Sequence, residues 1–150
     1  MFASRVLPRM ITCLLALVLV GCRTSAAPTG TDTDSFDVVT FNLYHDRAAW
    51  PPRKPLVVEA LRQLDPDVIV LQEVLQHDTL PNQAEDLAQA LGYQAYFISI
   101  DQPGKVRRYG NAILTRAPVL ARGWVPLRPL QDSRSAGWVR IEHAGKPVTV

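Results

Sequence analysis

The sequence predicts an α/β domain with a mixed sheet and two helices on one face. Three observations predict it. Apolar, β-branched runs alternate with amphipathic stretches early in the chain, in the order strand, helix, strand, helix. Several strand patterns then follow one another with only short turns between them, which makes their pairing antiparallel. Finally, 150 residues with 47% apolar and 20% charged side chains fit one globular domain rather than a disordered chain.

The first strand pattern is "FDVVTFNLY", Phe36 to Tyr44, rich in β-branched and aromatic residues. After the loop "HDRAAWPP", residues Arg53 to Leu64 place Leu56, Val57, Ala60, Leu61 and Leu64 at helical spacing, with Pro52 near the first turn. Asp65-Pro66 stops that helix, and "DVIVLQEV" follows as a strand whose unbroken apolar run suits burial on both faces. A second helix lies in "PNQAEDLAQALG": Leu87, Ala88 and Leu91 form its stripe, Glu85 and Asp86 sit near its positive end, and Gly92 stands at the C-cap. "YQAYFISI", "NAILTR" and "VLARGWVPL" give strands three to five. "AGWVRIEH", the turn "HAGK" and "PVTV" form a hairpin whose second arm begins at Pro147. The chain ends inside a strand pattern, so it reads as a piece truncated at Val150.

Residues 1–22 stand apart from the fold. Arg5 and Arg9 precede the run "ITCLLALVLV", which is shorter than the ~20 residues that span a bilayer. Leu19-Val20-Gly21-Cys22 resembles the bacterial lipoprotein signal box, which implies lipidation of Cys22 and a membrane anchor in the cell envelope. Residue 23 is Arg rather than Asp, which favours the outer membrane; an ordinary signal cut near Ala26-Ala27 is the alternative. Residues 23–35 are small and polar, a flexible tether. Cys13 leaves with the signal and Cys22 takes the lipid, so the domain carries no disulfide.

Without the signal the basic and acidic residues balance, but they are segregated. From Asp32 to Asp101 there are 12 acids and four bases; from Pro103 to Arg140 there are eight bases and one acid. Such clustering is compatible with a phosphate-bearing ligand on the second half, and equally with a solvated basic face.

Four short constellations carry candidate chemistry. Asn42 ends strand one, where an amide can contact a ligand or orient a neighbouring carboxylate. Glu73, beside Gln72, ends strand two; burying an unpaired carboxylate there costs several kcal/mol, so it has reached solvent or has a partner. A carboxylate at such a position suits a hard cation, since Mg²⁺ commonly uses one or two carboxylates and keeps its waters. Gly110 before Asn111 points to a close backbone approach or bulge that aims Asn111. Arg134 falls in a loop where a guanidinium can clamp a phosphate.

In this order and spacing, Asn42, Gln72-Glu73, the Gly110–Arg116 stretch and Arg134 resemble the endonuclease/exonuclease/phosphatase superfamily, over roughly residues 36–150. The resemblance implies the N-terminal half of a four-layer α/β sandwich. It implies a phosphodiester or phosphomonoester hydrolase using Mg²⁺, Mn²⁺ or Ca²⁺, with Glu73 and Asn42 at the metal and Asn42, Asn111 and Arg134 at the phosphate. The substrate is a nucleic acid, a phospholipid or a small phosphodiester; a lipid-anchored binding module that kept the fold without the chemistry is the alternative. The family's later segments, Asn/Thr-His-Leu, Gly-Asp-x-Asn and a final Asp-His pair, have no counterpart in this sequence, so the piece itself is expected to be inactive. His45 and His77 fall in loops near the cleft, and His143 is read as a solvated hairpin residue. With the second half of the sandwich missing, the first sheet is expected to expose an apolar face.

Overall fold

The computed structural model describes residues 35–129 and 134–150. The signal, Cys22 and most of the tether lie outside the described residues. Seven strands and two helices follow in the order β1 (Val38–Asn42), α1 (Trp50–Leu64), β2 (Val68–Gln76), α2 (Gln83–Leu91), β3 (Gln94–Ile98), β4 (Arg108–Thr115), β5 (Val119–Pro126), β6 (Ser135–His143) and β7 (Lys146–Thr149). The first sheet has strand order β1-β2-β4-β3, with β1 parallel to β2 and the other pairs antiparallel. The second is the antiparallel ribbon β5-β6-β7. The mixed α/β fold anticipated from the pattern is the one observed.

The middle of β2 shows why an unbroken apolar run was needed. Ile69 and Leu71 turn toward the helices and join Trp50, Leu61, Leu87 and Leu114; Val68 and Val70 turn the other way and meet Ile113, Val139 and Ile141. The strand is therefore buried on both faces. The second sheet covers the first, which corrects the expected exposed face. Ile98 reaches into it where Gly137 has no side chain: a Cβ there would sit 2.2 Å from the Ile98 Cδ1. Large apolar side chains stay exposed on β1, at Val38 and Phe41, and on β5 and β6, at Leu120, Trp124, Val125 and Trp138.

Local chemistry explains the helices. α1 begins at Trp50, three residues before its predicted start, because prolines occupy its first turn, where their missing N–H groups leave nothing unpaired. Its buried residues are Trp50, Val58 and Leu61, while Leu56 is 71% and Leu64 62% exposed, so the apolar face is rotated from the predicted stripe. α2 starts at Asn82, whose Oδ1 accepts from the Ala84 and Glu85 N–H groups at 3.0 and 3.2 Å. It ends at Gly92 with φ of +77°. At the β6–β7 turn, Ala144 and Gly145 both take positive φ, as a two-residue hairpin requires. His143 beside that turn is only 22% exposed and packs edge-on to Phe36 at 5.0 Å, which corrects its reading as a solvated residue.

Candidate functional site

Asn42, the last residue of β1, is the register partner of Gln72. β2 runs on to Gln76, so Gln72 and Glu73 lie in mid-strand, which corrects the expectation that Glu73 ends strand two. Between β2 and β4, Leu71 pairs with Ala112 and Val74 with Gly110, so Gln72 and Glu73 together oppose the single residue Asn111. This is a β-bulge, and Glu73 sits in it at φ of +56°. A non-glycine residue in that region costs of order 1–3 kcal/mol and persists only where its surroundings hold it.

The surroundings are explicit. Asn42 Nδ2 donates to Glu73 Oε1 at 3.0 Å, while Asn42 Oδ1 accepts from the Tyr44 N–H at 2.7 Å. The amide thus orients the carboxylate and has its own oxygen engaged. The Glu73 carbonyl accepts from the His45 N–H at 3.2 Å, and the Gln72 carbonyl from the Leu43 N–H at 2.9 Å. Gln72 Nε2 donates to Thr40 Oγ1 at 3.0 Å and so ties the bulge to β1.

The loop after β1 is held by residues that carried no sequence signal. Arg53 donates to the carbonyls of Leu43, His45, Arg47 and Ala48 at 2.8–3.2 Å, and its guanidinium lies 5.3 Å from the Trp50 ring. Gln83, fully buried, donates to the His45 carbonyl and accepts from the Leu75 N–H, both at 2.9 Å. Four residues of this loop, Tyr44, His45, Ala48 and Ala49, have positive φ.

Around the carboxylate lie Tyr109 and a His–Asp pair. Burial, and then the Glu73 charge, push the Tyr109 hydroxyl above its ordinary pKa. The His45 ring lies 6.2 Å from the Tyr109 ring, and its Nδ1 is 2.7 Å from Asp46 Oδ1. That hydrogen bond is the largest cause holding Asp46 below the usual carboxylate range. His77 Nε2 is 3.8 Å from Asp46 Oδ2. Asn111 Nδ2 donates to the Ser135 carbonyl at 3.0 Å, linking β4 to the start of β6. Arg134 is exposed just before β6, its carbonyl accepting from the Leu127 N–H at 3.0 Å. Gly110 is fixed by a close approach: a Cβ would fall 2.0 Å from the Ile98 carbonyl oxygen.

Glu73 supplies one hard anionic oxygen donor on the bulge of β2, and Asn42 sets its direction. Among the described residues no group of three or more His, Cys, Asp or Glu side chains is placed to hold a metal ion. That donor set fits a cation that keeps most of its water, as Mg²⁺ does, and does not fit a closed protein cage.

The fold defines an α/β sandwich with a polar site where the end of β1 meets the bulge of β2. The Endonuclease/Exonuclease/phosphatase family profile matches residues 39–148, and the chain belongs to that family. No curated protein sequence matches it. Among solved structures it is similar to an endonuclease/exonuclease/phosphatase family protein from Leptotrichia buccalis C-1013-b, with TM-score 0.64 and 17% identity over 77% of this chain and 52% of that one. It is also similar to D. rerio TDP2 complexed with a single-strand DNA product, at TM-score 0.60 and 17% identity over 76% and 43% of the two chains. The human Nocturnin catalytic domain with bound sulfate gives TM-score 0.59 and 23% identity over 76% and 47%. The chain thus spans about half the length of these relatives or less.

Proposed function

We propose that this chain is part of a divalent-metal-dependent phosphoester hydrolase. Glu73 is its metal ligand, Asn42 orients that ligand, and Asn111 and Arg134 serve the substrate phosphate. The observation that carries the reading is Glu73 itself. A carboxylate held in a left-handed conformation, on a bulge, by an asparagine from the neighbouring strand serves no packing purpose. Strain of that kind clusters at functional sites. Family membership supports phosphoester chemistry, as do a relative solved with a DNA product and another solved with sulfate.

Mg²⁺ or a similar ion, bound at Glu73, would polarise phosphoryl oxygens and offset charge in an in-line displacement. The chain's own residues do the rest. Asn42 fixes the carboxylate, Arg53 ties down the adjoining loop through its carbonyls, and the Tyr109 hydroxyl, kept neutral, can donate toward a phosphate oxygen. With one carboxylate ligand among the described residues and about half the length of its relatives, the chain by itself is expected to give no turnover.

In a protein carrying the rest of the fold, hydrolysis of bis-p-nitrophenyl phosphate is expected to need Mg²⁺ or Mn²⁺, and Glu73→Gln to lower it at least ~100-fold. Metal-independent turnover that survives Glu73→Gln overturns the reading. The basic segment 103–140 favours a nucleic acid and the anchor a phospholipid; salt-dependent retention of oligonucleotides, against none of phospholipid vesicles, separates them. Anchoring through Cys22 in the bacterial envelope, on the outer-membrane side, is part of the same proposal. Loss of labelling by radioactive palmitate in Cys22→Ser is the expected result, and unchanged labelling sinks it.

A further inference from the structure

A cleft lies at the open edge of the first sheet, between β3, the β3–β4 loop and β5. Its volume is about 250 Å³, and its walls include Tyr96, Phe97, Gln102, Arg108 and Trp124. Three of these are aromatic, and two of their faces are already covered by guanidinium groups. Arg108 lies 4.9 Å from the Phe97 centroid, and Arg122 the same distance from that of Tyr96. Trp124, 44% exposed, keeps a free face.

The polar groups divide into engaged and available. Asp101 is taken up by the Tyr109 N–H and Lys105 Nζ, at 3.1 and 3.2 Å, and Ser99 donates to the Tyr109 carbonyl at 2.6 Å. Arg108 Nε, by contrast, is buried without a hydrogen-bond partner. A buried donor left unpaired is destabilising by ~1–3 kcal/mol, and an acceptor brought into the cleft removes that penalty after a small turn of the guanidinium.

We propose that this cleft binds a nucleobase, stacked on Trp124, with a ring acceptor on the Arg108 guanidinium. Bases stack on aromatic planes, and a flat ring with acceptors along its edge matches both the exposed indole and the unpaired donor. Size decides against bulkier ligands, since pockets for drug-sized molecules span ~300–1,000 Å³ and this one takes a single ring system. The cleft is separate from the Glu73 site but joined to it by β4. Arg108 and Tyr109 are consecutive strand residues on opposite faces, one lining this cleft and the other feeling the Glu73 charge.

The test compares adenosine 5′-monophosphate with ribose 5-phosphate, which differ only in the base, by the indole N–H signals of the purified chain. Trp124 is expected to shift with the nucleotide and not with the sugar phosphate, while buried Trp50 and outer-face Trp138 stay still. Trp124→Leu and Arg108→Leu should each weaken nucleotide binding at least tenfold. Equal shifts from both ligands would show a phosphate site and overturn the proposal. So would equal response at Trp138, or no response. The reading needs no metal and no turnover, so base binding without hydrolysis in the extended protein defeats the hydrolase alone, and hydrolysis without base binding defeats the cleft alone.

Discussion

The two halves of β2 obey different rules. From Val68 to Leu71 the strand is in register with both neighbours, fully or nearly buried, and alternates cleanly between the two core layers. At Gln72 and Glu73 the ladder slips, the backbone enters the left-handed region, and side-chain bonds replace packing as what holds the chain. Among the described residues seven non-glycine residues have positive φ, and five of them (Tyr44, His45, Ala48, Ala49 and Glu73) gather at this end of the sheet; Asp65 and Ala144 are elsewhere. The difference teaches that the regular half is a platform for stability, and that the strained half draws on it.

That contrast can be broken most severely at its edge. Gly110→Ala puts a methyl group 2.0 Å from the Ile98 carbonyl oxygen, and denaturant unfolding should show a loss above ~3 kcal/mol. Leu71→Ala in the regular half should lose ~3 kcal/mol by the same measurement, from lost burial and an unfilled cavity. Arg53→Met should lose ~2 kcal/mol by leaving the carbonyls of Leu43, His45, Arg47 and Ala48 without their charged donor. Amide exchange should then quicken in residues 43–49 and remain slow in Val68–Leu71, which is the sharper test of the two-halves distinction.

Smaller effects probe the strain itself. Glu73→Gly and Glu73→Ala both remove the carboxylate and its bond to Asn42, so their stabilities should differ only in backbone preference. The glycine variant should be more stable by ~1 kcal/mol; equal midpoints would show that the bulge relaxes. The smallest effect concerns Asp101. Burial alone would raise its pKa, but the Tyr109 N–H and Lys105 outweigh burial and leave it lowered. A depressed carboxylate stabilises the fold above its unfolded pKa, and that contribution is lost as pH falls through the folded value. Thermal midpoints should therefore drop less on acidification in Asp101→Asn than in the parent chain, in the range below about pH 4.

Much of the platform was legible in the sequence because it repeats. Val68 to Leu71 announce a doubly buried strand by composition, Leu87 and Ala88 mark a helix face by spacing, and the Gly92 stop is a one-residue signal. Asn42, Glu73, Asn111 and Arg134 were visible as residue types, but their relations were not, nor was the mid-strand position of Glu73 and Asn111. The bulge depends on the register between β2 and β4, which no local pattern encodes. Arg53 escaped notice because its partners are carbonyl oxygens, present at every residue and therefore silent in a sequence. The covering of the first sheet by the second was missed for a related reason. The inward positions of β6, Val139 and Ile141, look no different from those of any two-faced strand until their partners Ile98 and Ile113 are known.

The bulge can also be read as a matter of chain length. Leu71 and Val74 both face the helices although three positions separate them, so two residues occupy the space that a regular strand gives to one. A chain lacking Gln72 would keep every flanking side chain on its present face, pair evenly with β4 and form a more regular sheet. The residue that perfect pairing would delete is what turns a carboxylate outward, so an insertion and a function occupy the same place in this strand.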